Sequence, residues 1–244
     1  MTKKPISKTR KIYIVRFVGR IIVLICAFLL YFLHPKSFDV LERGKFFSEF
    51  SPLHLLWMVW MIDMICQIIP VGRKISIGSL KLFRNRFRPI TEKINKEALK
   101  KYIISTTKNA YKVMVLWILL LAGIGTFYYL GIFDNRMLFL ISVLFYVGDL
   151  VCVLIWCPFR IVAKSRCCTT CRIFNWDHFF MFSPMMFVWN LYSMSLFAMS
   201  LVVFAIWELS ILIFPERFWE KTNVSLKCSE CTDKLCTQYC QKLR

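Results

Sequence analysis

Residues 178–214 read HFFMFSPMMFVWNLYSMSLFAMSLVVFAIWELSILIF, thirty-seven positions whose one formal charge is Glu208. As one helix the run would rise about 55 Å, against about 30 Å of bilayer hydrocarbon. Two full crossings with a turn need slightly more chain than this. Ser183-Pro184 offers a helix start, because proline has no N–H to lose in a first turn. We therefore expect an interfacial piece over 178–183 and one long tilted span over 184–214. The alternative is a tight hairpin turning near residues 190–195. One span would put the tail, 215–244, outside; a hairpin would put it inside. The tail carries six basic and four acidic residues, which favours neither.

The same apolar character recurs along the chain. Hydrophobic residues make up 58% of the 244 and charged residues 19%. They gather into runs of about 20, the length a bilayer-spanning helix needs. The short alternating segments of a membrane β-barrel are lacking. The fold class is thus all-α, a polytopic helical membrane protein of about five transmembrane helices (five or six). Spans are expected over about 12–33, 51–70, 111–133, 137–157 and 184–214, within a helical domain covering 1–214. Residues 71–110 form a basic connector, and 215–244 a Cys-rich tail.

Charge orders these pieces. Thirty-three Lys and Arg against fourteen Asp and Glu give +19. The surplus lies between the apolar runs: residues 71–112 hold twelve basic residues and two acidic ones, and residues 34–50 hold three of each. Cationic connectors mark the cytoplasmic side and suit anionic lipid head groups. We expect a multi-pass protein of the cell membrane with its N-terminus in the cytoplasm and lipid as its partner. No nucleic-acid motif accompanies the charge, so no nucleic-acid partner is expected. MTKKPISKTRKIYIVRFVGR, residues 1–20, has seven basic residues before an apolar stretch, but no small-x-small cleavage site follows. Arg16 and Arg20 are expected to snorkel to the interface. In 73–88 apolar and basic residues interleave, as in a segment lying on a membrane surface, and Glu97 with Lys101 has the i,i+4 spacing of an exposed helix.

Cysteine carries the most chemistry-rich pattern. Cys26, Cys66, Cys152 and Cys157 lie in or at the ends of apolar spans, where a small hydrophobe packs well. Cys167, Cys168 and Cys171 sit in a loop flanked by Arg166 and Arg172, whose charges should favour the thiolate. Cys228, Cys231, Cys236 and Cys240 follow C-x2-C-x4-C-x3-C. That spacing lets a tight turn point paired thiolates at one Zn²⁺ ion or an iron–sulfur cluster. It is loosely similar to a zinc knuckle, with Cys236 where the knuckle has histidine and one residue fewer before Cys240. The seven cysteines are thus candidate metal ligands, in a structural or redox role. Two disulfides in an extracellular tail, or unpaired thiols, are the competing states.

Asp63, Asp149 and Glu208 each interrupt an apolar run, where an ionised carboxylate is costly and often marks a proton or ion path. Asp63 and Gln67 share a helix face. His34, His54 and His178 are scattered and expected to anchor span ends. No phosphate-cradling glycine loop, nucleophile elbow or H-E-x-x-H motif occurs, and catalytic residues are unknown. Three functions stay open: a Cys-rich metal centre, a small proton- or cation-coupled transporter, and a thiol–disulfide redox protein using Cys228 and Cys231.

Overall fold

The computed structural model describes residues 7–48, 50–69, 82, 87–90, 95–165, 171–227, 229–230 and 235. It is 79% helical, and the described residues contain no strand. The protein is an all-α helical membrane protein, with four helices long and apolar enough to cross a bilayer. These are α1 (Lys8–Leu33), α3 (Lys96–Tyr129), α4 (Asn135–Leu154) and α7 (Leu191–Ile213). A shorter apolar helix, α2, covers Pro52–Ile68. Two small helices, α5 (Phe159–Ala163) and α6 (Asp177–Phe182), are the other α-helices among the described residues.

The ends of these helices are written in local chemistry. The Ser7, Asn95, Asp134 and Asn190 side chains each accept a backbone N–H three residues on. That satisfies amides left over in a first helical turn. At α2 the Ser51 hydroxyl accepts the Leu53 N–H, and His54 Nδ1 accepts the Ser51 N–H at 3.0 Å. His54 Nε2 lies 2.7 Å from the Phe46 carbonyl, so this histidine fastens a helix start to the preceding loop. Large apolar side chains such as Val15, Ile22, Leu29 and Phe32 on α1 stay exposed, as expected of a surface solvated by lipid tails.

The stretch 178–214 does not form the single span expected over 184–214. Helix α6 gives way to a 3-10 turn over Ser183–Phe187, and α7 begins only at Leu191. Pro184 does not start the long helix. Asn190 does, its Oδ1 accepting the Ser193 N–H at 2.7 Å while its Nδ2 donates to the Leu41 carbonyl. The chain then folds back on itself. The Phe179 ring meets Phe204 at 5.0 Å between centroids, far closer than one continuous helix allows.

Segment 177–190 runs the length of α2. Asp177 is bonded to Gln67 in the last turn of α2, and Tyr192 donates to the Leu53 carbonyl in its first. At about 1.5 Å per α residue, 2.0 Å per 3-10 residue and 3.3 Å per extended residue, the segment rises about 29 Å. A Trp–Phe column packs it against its neighbours. Trp117 of α3 stacks on Phe180 at 4.3 Å and donates to Ser183 Oγ at 2.9 Å, and the Trp60 ring of α2 meets Phe182 at 5.1 Å. Phe187 lies so close to Gly125 of α3 that a Cβ there would stand 2.7 Å from its ring.

This reversal returns the tail to the face that carries the basic connector. Val224 N–H donates to the Arg88 carbonyl at 2.9 Å, Ile90 N–H to the Thr222 carbonyl at 3.3 Å, and Trp219 stacks on Tyr102. Leu235 packs with Tyr13 of α1 and Leu150 and Val153 of α4. Helix α3 is longer than its expected span, because the polar stretch 96–110 continues it without a break; its 34 residues rise about 51 Å.

Two outcomes follow from this path. A topology reporter fused after Arg244 and one placed within residues 71–81 should register the same side of the membrane, and opposite sides would overturn the reversal at 188–190. Gly125→Ile should lower thermal stability by about 1–3 kcal/mol through overpacking against Phe187, with Gly123→Ala, where a Cβ meets nothing within 4 Å, as the neutral comparison.

Candidate functional site

Helices α1, α2, α4 and α6 converge on a set of ionisable groups between them. Arg20 is 8% exposed although it sits well inside α1. Its Nη1 donates to Asp149 Oδ2 of α4 and to the Tyr146 carbonyl, both at 2.6 Å. The guanidinium also lies over the Tyr146 ring, 4.0 Å from its centroid. The expected snorkelling of Arg20 therefore does not occur. Helix α1 starts at Lys8, which sets Arg20 about 18 Å along the axis, where it meets Asp149 of α4.

The second half of the centre is built by α2 and α6. Asp63 and Gln67, one turn apart on α2, meet two consecutive residues of α6. His178 Nε2 lies 3.3 Å from Asp63 Oδ2, and Gln67 Nε2 donates to Asp177 Oδ1 at 3.1 Å. Asp177 Oδ1 also lies 2.9 Å from His178 Nδ1 and accepts the His178 N–H at 2.7 Å. His178 is thus flanked by a carboxylate on each ring nitrogen. It is 5% exposed and, as the second residue of α6, turns inward onto these carboxylates instead of toward an interface.

The halves interact. Asp63 feels the charges of Arg20 and Arg16, and Asp149 those of Asp177 and His178. Three carboxylates, Asp63, Asp149 and Asp177, thus face Arg20 and His178, with Arg16 acting on Asp63 from further off.

Of the expected intramembrane carboxylates, Asp63 and Asp149 come together here, whereas Glu208 belongs to a second cluster. Arg172 grips Glu208 with two nitrogens, Nε at 2.9 Å from Oε1 and Nη2 on Oε2. Trp176 Nε1 donates to Glu208 Oε1 at 2.8 Å, and Arg172 Nη1 to Thr107 Oγ1 at 2.5 Å. Glu208 is therefore a tie between α7, α3 and the loop before α6. Sequence reading missed Arg20, Asp177 and His178 as members of the centre. A signal existed: each lone carboxylate in an apolar run requires a cation at matching depth.

Beside the centre lies a cavity of about 210 Å³. Asp149 and Asp177 stand on its wall, with Gly148, Cys152, Cys157 and Cys171, and its aromatic lining includes Trp117, Phe145 and Phe180.

The candidate metal ligands Cys167, Cys168, Cys228, Cys231, Cys236 and Cys240 lie outside the described residues. Cys171 is described, and burial pushes its thiol up, outweighing the Ser165 side chain and the Ile173 and Phe174 backbone, which act in the opposite direction. The expected thiolate character, argued from Arg166 and Arg172, does not hold at Cys171, because Arg172 is turned to Glu208. Among the described residues no group of three or more His, Cys, Asp or Glu side chains could hold a metal ion. No protein-family model, curated protein or solved structure matches this chain.

Removing one partner of a buried pair strands the other charge. Arg20→Ala or Asp149→Ala should each cost about 3–5 kcal/mol in unfolding of the purified protein, while Arg20→Met with Asp149→Leu together should recover most of that loss. Additive losses in the double variant would show that the two residues do not act as a pair.

Proposed function

We propose that this multi-pass membrane protein exchanges a cation for a proton across the bilayer at the centre formed by Arg20, Asp63, Asp149, Asp177 and His178. One observation carries this reading: three carboxylates from three helices meet Arg20 and His178 in one buried cluster between the helices. A carboxylate so placed is satisfied by a proton or by a cation, and the two compete for it. His178 touches Asp63 and Asp177 through opposite ring nitrogens, so it can take a proton from one carboxylate and release one to the other. Tautomer exchange then moves the proton between the α2 side and the α6 side of the ring.

The remaining helices suit this role. Segment 177–190 crosses antiparallel to α2 as a broken span, and the centre lies at its start, beside the last turns of α2. With it and α2 counted, the chain crosses six times. The N-terminus, the basic connector and the tail then share the cytoplasmic side by the positive-inside rule.

A second reading has a narrower support. The tail returns to the face that carries Cys171, with Leu235, next to Cys236, packed on α1 and α4. The spacing of Cys228, Cys231, Cys236 and Cys240, joined by Cys167, Cys168 and Cys171, suits a Zn²⁺ or iron–sulfur centre. Metal analysis of purified protein should find near-stoichiometric Zn or Fe if this holds. The thiol–disulfide reading needs an oxidising compartment around Cys228 and Cys231, and a cytoplasmic tail removes it.

Purified protein in vesicles holding an acid interior tests the exchange. External Na⁺, K⁺ or an organic ammonium salt should raise the interior pH, followed with a trapped dye, and Asp63→Asn or His178→Gln should slow the response by more than about tenfold with folding retained. An unchanged response in Asp63→Asn with Asp149→Asn would overturn the reading.

A further inference from the structure

The cavity beside the centre has a lining that selects among cations. Aromatic rings come to it from four helices: Trp117 of α3, Phe145 of α4, Phe159 of α5 and Phe180 of α6 all line it. Its polar wall is supplied chiefly by Asp149 and Asp177, which already hold Arg20 and His178 on their other side. Each of these carboxylates uses one oxygen only. Asp149 accepts through Oδ2, and Asp177 accepts all three of its bonds through Oδ1. The second oxygen of each has no hydrogen-bond partner among the described residues. Arg160 also lines the cavity and is engaged in an interaction of its own.

Inorganic cations are poorly served by such a place. Na⁺ and K⁺ need several oxygen ligands in replacement of water, and the side chains on this lining offer them oxygen only at Asp149, Asp177 and Ser165. Ring faces with a nearby carboxylate suit a different guest. Aromatic faces attract cations that are weakly hydrated, above all alkylated ammonium groups, and carboxylates supply the counter-charge.

A glycine makes the room. Gly148 lies inside α4, one residue before Asp149, where glycine is a poor helix former. A Cβ added there would meet nothing within 4 Å. Gly148 lines the cavity, so its missing side chain is cavity volume rather than a close helix contact.

We propose that this cavity binds a small organic cation, an alkylated ammonium with an aromatic or aliphatic body, through the Asp149 and Asp177 carboxylates and the rings of Trp117, Phe145 and Phe180. The proposal rests on the exchange reading and names the cation exchanged.

Benzyltrimethylammonium, which keeps its charge at every pH, is the probe, and neopentylbenzene is its neutral isostere. Binding to the full-length protein in detergent is measured by equilibrium dialysis, and exchange by the vesicle assay. The ammonium should bind at least about tenfold more tightly than the isostere, and Asp177→Asn should remove most of that preference. Gly148→Leu should abolish binding while leaving the melting temperature in place, which covers the case in which the Asp177 variant fails to fold. Equal binding of the two probes, or wild-type binding by Gly148→Leu, would overturn the proposal. Ammonium binding without proton release in vesicles overturns the exchange reading alone. Proton release by Na⁺ or K⁺ without ammonium binding overturns the organic-cation proposal alone.

Discussion

The Arg20–Asp149 pair is the contact around which the helices are ordered. Neither ion is tolerable by itself in hydrocarbon, where hydration is absent and charge is screened by little but protein dipoles. Together, with the Tyr146 carbonyl and ring on the guanidinium, they bind α1 to α4 at one register. A slide of one helix turn would leave both charges without partners. Apolar packing between lipid-exposed helices has no such sharp preference, since lipid tails are as good a neighbour as leucine.

The rest of the interior is arranged so that this pair has polar company instead of lipid. Helix α2 contributes Asp63 and Gln67, and the irregular segment after Asp177 occupies the gap between α2, α3 and α4. Irregular backbone at this depth is tolerated where protein surrounds it. Here Trp117 and Trp60 do so; Ser183 accepts from Trp117, and Asn190 and Tyr192 donate to the Leu41 and Leu53 carbonyls. The second charged cluster, Arg172 with Glu208, repeats the device nearer the basic face and holds α7 to α3.

Much of this was legible in the linear order of residues, and the failures share one cause. Apolar run length disclosed α1, α4 and most of α3, because a helix in lipid must be long and apolar. Asp63 and Asp149 stood out for the same reason. Sequence lists charges without their depth, however, so Arg20 read as an interfacial side chain and His178 as an end anchor. Depth came from the start of α1 at Lys8 and from the return of the chain after Asp177. Ser183-Pro184 misled because a proline suits a helix start, whereas Asn190 had the side chain that actually caps one. The hairpin near 190–195 was visible as an alternative, and a count of residues alone had disfavoured it. Short 3-10 and extended pieces cover more distance per residue than a helix, which is how so few residues run the length of α2.

Helix α3 is one unbroken rod with a partner at each extremity. Near one end Gly125 and Tyr128 receive the Phe187 ring, and near the other Tyr102 stacks on Trp219 of the tail. One unbroken shaft thus joins a ring packed inside the bundle to an aromatic stack on the tail.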